Sequence, residues 1–144
     1  MGNDRRTPEG SASPAGQGKT GLRILVVEDQ ADTAATLALV LRREGHEVQV
    51  APDGPAAVGA VRIEPPDVIL LDIGLPSMSG WEVAKWVTEQ PAEKRPLLVA
   101  VTGHGQEEDC RRSEEAGIDL HLVKPVDPAD LLRLLKRFYR VVGG

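Results

Sequence analysis

The sequence predicts an α/β fold of the doubly wound type, in which five parallel strands form a sheet with helices on both faces. Short apolar segments recur at regular intervals, and segments with helical periodicity separate them. Three of the apolar segments are almost continuously hydrophobic, which is typical of strands covered by helices on both faces. This alternation of strands and helices favours a parallel sheet.

Five segments have the composition of strands. In chain order they are LRILVVED (22–29), HEVQVAP (46–52), PDVILLD (66–72), PLLVAVT (96–102) and DLHLVKP (119–125). Ligands of such sheets bind outside the carboxyl ends of the strands, so the residues at those ends are the first candidates for a functional site.

Five helical segments are predicted between and after the strands. In the first helix, apolar residues stand at i, i+3, i+4 and i+7, namely Ala34, Leu37, Ala38 and Leu41, and the last helix repeats the pattern with Leu131, Leu134, Leu135 and Phe138. The segments 54–63 and 106–117 provide the second and fourth helices, and Pro65 and Gly117 end them.

Helix starts are marked by capping residues. Ser79 and Glu82 form a capping signature for the third helix, and Asp127 followed by Pro128 indicates the start of the last one. Asp53 with Gly54 is interpreted as a turn. His46 follows the first helix, where an imidazole interacts favourably with the helix dipole.

Length and composition limit the class of protein. The 144 residues suit one domain, with 41% hydrophobic and 27% charged residues. The net charge of -5 argues against binding to nucleic acid or to anionic lipid. The single cysteine, Cys110, cannot form an internal disulfide and is interpreted as a packing side chain. No apolar stretch approaches the ~20 residues of a membrane span, so a cytoplasmic protein without a membrane partner is expected.

The first 20 residues differ from the rest of the chain. They are rich in Gly, Pro, Ser and charge, and they contain no Val, Ile, Leu or aromatic residue, so a disordered tail is predicted for 1–20 and a folded domain for 21–144. The tail ends in GQGKT, but Ser13 stands where a phosphate-binding loop requires its first glycine, and no strand precedes it.

Carboxylates cluster at the predicted carboxyl edge of the sheet. Glu28 and Asp29 end the first strand, Asp72 ends the third, and these two strands are neighbours in this topology. Three acids placed together without a counter-ion repel one another. Mg²⁺ prefers oxygen ligands, and three carboxylates, one divalent cation and the ammonium of Lys124 sum to zero net charge. The sequence therefore predicts a magnesium site.

Asp72 is the candidate nucleophile of this site. An aspartate can form an aspartyl phosphate, and phosphoryl transfer requires mainly placement and charge stabilisation, which Mg²⁺, Lys124 and the Thr102 hydroxyl could provide. Pro76 and Gly80 are expected to shape a loop that keeps the next helix from covering the carboxylate.

Four motifs together resemble the receiver domain of response regulators in two-component signalling. They are the acidic pair in VVEDQ, the segment DIGLPSMSG that begins with Asp72, the threonine of VTG and the lysine of VKP. The resemblance runs from Leu22 to about Val142. The chain ends at Gly144, soon after the last predicted helix, and so it is similar to single-domain receivers of the chemotaxis-regulator type without an output module.

The resemblance implies a fold, a function and a set of roles. The fold is the flavodoxin-like (βα)5 sandwich with strand order 2-1-3-4-5, and the function is that of a regulatory phosphoacceptor rather than an enzyme. Asp72 would accept a phosphoryl group from a sensor histidine kinase or a phosphotransfer protein. Mg²⁺ would be held by Glu28, Asp29, Asp72 and the Gly74 carbonyl. Lys124 and Thr102 would contact the phosphoryl group, and the Lys124–Pro125 peptide bond would be cis.

The resemblance also implies a switch. Phosphorylation would draw Thr102 toward Asp72 and alter the face formed by helix 4, strand 5 and helix 5, through which a downstream protein binds. Relatives commonly carry an aromatic residue where this chain has His121. Gly103, after Thr102, replaces the alanine or serine that is frequent there.

Two other functions share single features with this sequence. A phosphohydrolase of the haloacid dehalogenase type also uses an aspartyl nucleophile, but it requires a second aspartate two residues later, where this chain has Gly74. A dinucleotide-binding protein requires a glycine-rich loop after the first strand, where this chain has EDQAD.

Overall fold

A five-stranded parallel sheet forms the centre of the computed structural model, which describes residues 21–74, 80–91, 95–103 and 117–142. The strands are β1 (Arg23–Val27), β2 (Glu47–Ala51), β3 (Val68–Asp72), β4 (Leu97–Thr102) and β5 (Leu120–Val123). Their order across the sheet is β2-β1-β3-β4-β5, and every neighbouring pair is parallel. The predicted doubly wound fold and strand order 2-1-3-4-5 are therefore confirmed.

Helices lie on both faces of this sheet. They are α1 (Ala31–Arg43), α2 (Gly54–Ile63), α3 (Gly80–Thr88) and the C-terminal helix (Pro128–Val142). Among the described residues, none of the helices is long and apolar enough to cross a lipid bilayer. The predicted fourth helix, apart from Gly117, lies outside the described residues, as do the 1–20 tail, Pro76, Ser79 and Cys110.

Two hydrophobic cores, one on each face, hold the helices to the sheet. Successive side chains of a strand point to opposite faces, so the buried run of β3 contributes to both cores. Ile69 and Leu71 pack with α2 and α3, whereas Val68 and Leu70 pack with α1 and the C-terminal helix. This arrangement explains why the run is continuously hydrophobic.

Capping hydrogen bonds define the end of α1 and the start of α2. The last turn of α1 closes in a Schellman motif, in which Gly45 N–H donates to the Arg42 carbonyl and His46 N–H to the Leu41 carbonyl. Gly45 has a φ of 95°, which only glycine adopts without strain. Asp53 is the N-cap of α2 and accepts a hydrogen bond of 2.8 Å from Ala56 N, so its interpretation as a simple turn residue was incomplete.

The amino edge of the sheet is fixed by two carboxylates that precede strands. Asp67 accepts a 2.8 Å hydrogen bond from Arg23 N of the neighbouring β1, and Asp119 accepts one of 2.8 Å from Leu98 N of the neighbouring β4. Each bond joins the starts of two adjacent strands. These contacts fix the strand registers at the edge opposite the predicted site.

Gly80 brings the start of α3 into direct contact with the end of β3. A Cβ at this position would lie 2.8 Å from the Asp72 carbonyl oxygen and 2.8 Å from the Ile73 Cα. Gly80 N–H also donates to the Ile73 carbonyl at 3.2 Å. Close packing against the Asp72 backbone is therefore the reason for this glycine, in addition to the loop shape that the sequence suggested.

His46 is a buried hydrogen-bond acceptor rather than a residue placed for the helix dipole. Its Nδ1 accepts a 3.1 Å bond from Leu22 N, so Nδ1 carries no proton. Burial lowers the pKa of His46 below its usual value, and the neighbouring Glu44 only partly opposes this effect. The neutral imidazole anchors the residue before β1.

We expect Gly80→Ala to lower the free energy of unfolding by about 1–3 kcal/mol or more, because the new methyl group meets backbone atoms that cannot move aside. Gly59→Ala is the matched control, since a Cβ at that position in α2 has no neighbour within 4 Å. The control should leave stability unchanged or raise it by about 0.5–1 kcal/mol. Urea unfolding of both variants checks this, and equal effects would contradict the packing argument.

We expect His46→Asn to flatten the pH dependence of stability. Because the folded-state pKa of His46 is lowered, the unfolded chain binds more protons, so its contribution is present above its ordinary pKa of 6.5 and is lost as pH falls through the folded-state pKa. Asparagine keeps an acceptor for Leu22 N but does not titrate. Urea unfolding between neutral and mildly acidic pH should show a smaller loss of stability for the variant than for the native chain, and parallel curves would refute this assignment.

Candidate functional site

The carboxyl edge of the sheet gathers the candidate residues from four strand ends. Glu28 follows β1, Asp72 ends β3, Thr102 ends β4 and Lys124 follows β5. Because β1, β3, β4 and β5 are successive neighbours in the sheet, their ends meet in one row. Glu28, Asp72 and Thr102 are buried although each carries a polar side chain. The remaining candidate acid, Asp29, is exposed.

Three carboxylates form a tight cluster. Glu28, Asp29 and Asp72 each place one oxygen so that all three oxygens lie within 4.8 Å of one another. Glu28 and Asp72 are only 4% and 6% exposed, so water does little to screen their charges. The structure therefore brings together the three acids that the sequence assigned to one site.

The Asp72 carboxylate is held through both of its oxygens. Oδ1 accepts a 2.9 Å hydrogen bond from Gly74 N, and Oδ2 accepts one of 3.2 Å from the Lys124 ammonium. The first donor comes from the turn after β3, and the second comes from the far side of β4. The carboxylate orientation is thus fixed from two sides.

Lys124 links two of the acids. Its Nζ lies 3.2 Å from Asp72 Oδ2 and 3.8 Å from Glu28 Oε1. The Lys124 backbone is itself positioned by a 2.7 Å hydrogen bond from its N–H to the Thr102 carbonyl. The Lys124–Pro125 peptide bond is cis, the form that the family resemblance implies.

The surroundings of Glu28 oppose its ionisation. Burial raises its pKa above the usual value, and the nearby charge of Asp72 adds to the increase. The Gln30 N–H, which donates to Glu28 Oε2 at 3.2 Å, and the Lys124 ammonium act in the opposite direction. A positive ion between the acids would favour the charged form of Glu28.

The donor set fits Mg²⁺. Hard divalent cations select carboxylate oxygens, and Mg²⁺ commonly takes one or two carboxylates and keeps other oxygen ligands. The exposed Asp29 gives the cluster a side open to solvent, through which an ion and a phosphoryl group can enter. The predicted ligation by the Gly74 carbonyl stays a prediction, because the contact present here is made by the Gly74 N–H.

Two residues were predicted to form a switch. Thr102 is buried at the end of β4, next to β3, which carries Asp72. In the sheet it is paired with Val123 of β5. His121 lies on β5, where it pairs with Ala100 of β4 and is partly buried. Their positions are consistent with a role near the site, and the switching role itself stays a prediction.

Backbone donors are the part of the site that the sequence interpretation missed. Gln30 N–H binds Glu28, and Gly74 N–H binds Asp72, each from two residues further along the chain. A signal for the second contact exists, since aspartate side chains at turns often accept from the backbone two residues on. These amides orient the acids without using another side chain.

Comparisons with known proteins agree with this geometry. A family model described as the response regulator receiver domain matches residues 24–136. The phosphate regulon transcriptional regulatory protein PhoB of Klebsiella pneumoniae is 36% identical over 121 residues, which is 84% of this chain and 53% of PhoB. The chain thus spans about half the length of this relative.

Solved structures share the fold over most of the chain. A CheY-like receiver domain protein from Methanospirillum hungatei superimposes with a TM-score of 0.76 and 30% identity, covering 83% of this chain and 94% of that one. The receiver domain of the sensor histidine kinase PA1611 from Pseudomonas aeruginosa has a TM-score of 0.74 and 31% identity, over 81% of this chain and 96% of that one. That structure contains a magnesium ion coordinated in its active-site cleft.

The family assignment decides between the functions that the sequence left open. The phosphohydrolase of the haloacid dehalogenase type is not favoured, because the matching family is a regulatory one and Gly74 occupies the position of the second aspartate. The row of strand-end acids, the lysine that links them and the match over residues 24–136 all lead to one conclusion. The chain belongs to the response regulator receiver domains, the phosphoaccepting regulatory modules of two-component signalling.

Proposed function

We propose that Asp72 is the phosphoacceptor and that a sensor histidine kinase or a phosphotransfer protein supplies the phosphoryl group. The observation that carries this proposal is the Asp72 carboxylate, which is buried yet fixed between the Gly74 amide and the Lys124 ammonium. A nucleophile held in one orientation lowers the entropic part of the barrier to transfer.

The transfer step exchanges one bond for another. A carboxylate oxygen of Asp72 attacks phosphorus, the P–N bond to the donor histidine breaks, and the departing imidazole takes up a proton from solvent. Charge on the equatorial phosphoryl oxygens is the main quantity to be stabilised in such a step. Lys124 is 3.2 Å from Asp72 and so brings a positive charge to the oxygens of the transferred group.

We propose Mg²⁺ as the cofactor, held by Glu28, Asp29 and Asp72, with the Gly74 carbonyl as a further oxygen ligand. When bound, the ion supplies positive charge that neutralises the acids and the phosphoryl oxygens. Two of the three carboxylates are buried, so their mutual repulsion is strong and their demand for a counter-ion is high.

The output is proposed to be a change in a protein-binding face. The Thr102 hydroxyl would hydrogen-bond the phosphoryl group on Asp72, and His121 on the adjacent β5 would respond to the resulting shift of β4. The face predicted for a downstream protein includes β5 and the C-terminal helix, together with a helix that lies outside the described residues. The proposal also includes a downstream protein partner and a cytoplasmic location. It includes no catalytic turnover of a substrate beyond loss of the protein's own phosphoryl group.

Asp72→Asn should abolish phosphorylation, because the amide is not a nucleophile for phosphorus. Incubation with Mg²⁺ and acetyl phosphate, followed by intact mass measurement, should show one added phosphoryl group on the native chain and none on the variant. Asp32→Asn, which alters an exposed acid in the first turn of α1, is the matched control and should be phosphorylated like the native chain. A persistent adduct on Asp72→Asn would disprove the assignment of the acceptor.

Asp29→Asn should weaken Mg²⁺ binding by at least about tenfold, because it removes one of three clustered charges from the ligand set. Isothermal titration calorimetry with MgCl₂ measures the affinity, and Asp32→Asn again serves as the control with equal loss of overall charge. The fold should be retained, since Asp29 is exposed. Equal affinities for the native chain and Asp29→Asn would exclude this acid as a ligand.

A further inference from the structure

A cavity lies at the amino edge of the sheet, at the opposite end of the strands from Asp72. It has a volume of about 770 Å³, is open on one side, and is lined by the start of β1, the ends of α2 and α3, and the segment before β4. Arginine side chains and the Trp86 ring are part of its lining. Its volume is in the range of small-molecule sites, about 300–1,000 Å³.

The lining of this cavity carries an excess of positive charge. Three arginines and one glutamate, Glu64, line it. Arg23 is paired with Glu64 at 3.0 Å and with Glu47 at 3.3 Å, so its charge is compensated. Arg62 and Arg95 form no ion pair with a carboxylate of any described residue. Within the described ranges these two guanidinium groups therefore lack a carboxylate partner, in a chain whose net charge is -5.

Each of these guanidinium groups is held in place by a contact with a described residue of α3. The Arg62 guanidinium carbon lies 5.5 Å from the centroid of the Trp86 ring, within the range of a cation–π contact. Arg95 donates one Nη2 hydrogen bond to the Thr88 carbonyl at 3.0 Å, which uses one of its five N–H donors. A guanidinium fixed in this way is suited to binding a planar carboxylate or a phosphate.

The rest of the lining is apolar. Val61, Val87, Pro65 and Pro96 join the Trp86 ring in forming the walls. A fully hydrated inorganic ion gains nothing from such walls, whereas an anion with a hydrocarbon part buries apolar surface against them. Charge and apolar lining together select an amphipathic ligand.

We propose that this cavity binds a small organic anion, a carboxylate or phosphate joined to an apolar body, with Arg62 and Arg95 contacting the anionic group. Trp86 and the neighbouring apolar side chains contact the body of the ligand. Binding here is independent of Mg²⁺, because Arg23 opens β1 at one edge of the sheet whereas Glu28 follows β1 at the other.

Trp86 provides the readout for a test on the full chain. In a Trp81→Phe background it is the only tryptophan, and its fluorescence is titrated with 3-cyclohexylpropionate and with cyclohexyl phosphate. We expect a saturable change in Trp86 fluorescence with at least one of these two compounds. The compound that gives saturation identifies the anionic group as a carboxylate or a phosphate. The neutral 3-cyclohexylpropionamide should bind at least about tenfold more weakly, because charge-assisted hydrogen bonds are lost.

Substitutions then test the two arginines. Arg95→Gln leaves the Arg62–Trp86 contact intact and should weaken binding about tenfold or more. Arg62→Gln should weaken binding by a similar factor. Its affinity is measured by ligand-induced thermal stabilisation, which does not depend on the environment of Trp86. Arg43→Gln, an exposed arginine in the last turn of α1, is the matched control and should bind normally. Equal binding of acid and amide, an unchanged affinity in Arg95→Gln and Arg62→Gln, or no saturation with either anion below about 10 mM would each overturn the proposal.

Discussion

Electrostatic repulsion among Glu28, Asp29 and Asp72 is the constraint on which the functional edge of this molecule depends. The protein places three carboxylate oxygens within 4.8 Å of one another and buries two of the side chains. Such an arrangement is unfavourable unless positive charge and hydrogen-bond donors surround it. Lys124 supplies the charge, and the amides of Gln30 and Gly74 supply the donors. The cluster is thus maintained by the polar groups around it.

The strands and turns around the cluster hold the acids in place despite their repulsion. Strands β1 and β3 are buried on both faces, so hydrophobic packing rather than the acids fixes the backbone on which Glu28 and Asp72 stand. Gly80 then allows α3 to begin against the Asp72 carbonyl without a steric clash. A rigid scaffold with a strained set of charges at one edge is a common plan for functional sites, since packing elsewhere compensates for the local cost.

The fold could be predicted from the sequence because its signals are local. The continuous apolar run before Asp72 and the helical spacing of Leu37 and Leu41 each follow from one periodicity, and Asp127 with Pro128 marked the start of the C-terminal helix correctly. What the sequence could not predict depends on contacts distant along the chain. His46 bonds to Leu22, 24 residues earlier, and no local pattern distinguishes such a buried acceptor from a residue at a helix end.

Part of the site could be predicted from the sequence, and part of it could not. Its acids and Lys124 could be placed because strand ends of a parallel sheet share one edge, so that knowledge of the topology was sufficient. The backbone donors and the close approach of Gly80 were missed: the turn after Asp72 carried a signal for the Gly74 contact, but distances between main-chain atoms such as those around Gly80 are not encoded in residue type. The arginine-lined cavity was missed because its arginines are far apart along the chain: Arg23 opens β1, Arg62 lies in α2 and Arg95 precedes β4.

Lys124 has one further consequence, which arises from the order of the strands. It follows β5, yet it binds an acid on β3, so its side chain reaches across the end of the intervening β4. Strand β5 contributes little to either core, and its Leu120 and Val123 are 41% and 50% exposed. The Lys124–Asp72 ion pair therefore connects the edge strand β5 to β3 at the centre of the sheet. Because Lys124 joins β5 to Asp72, a change of charge on Asp72 acts directly on an edge strand that has few core contacts.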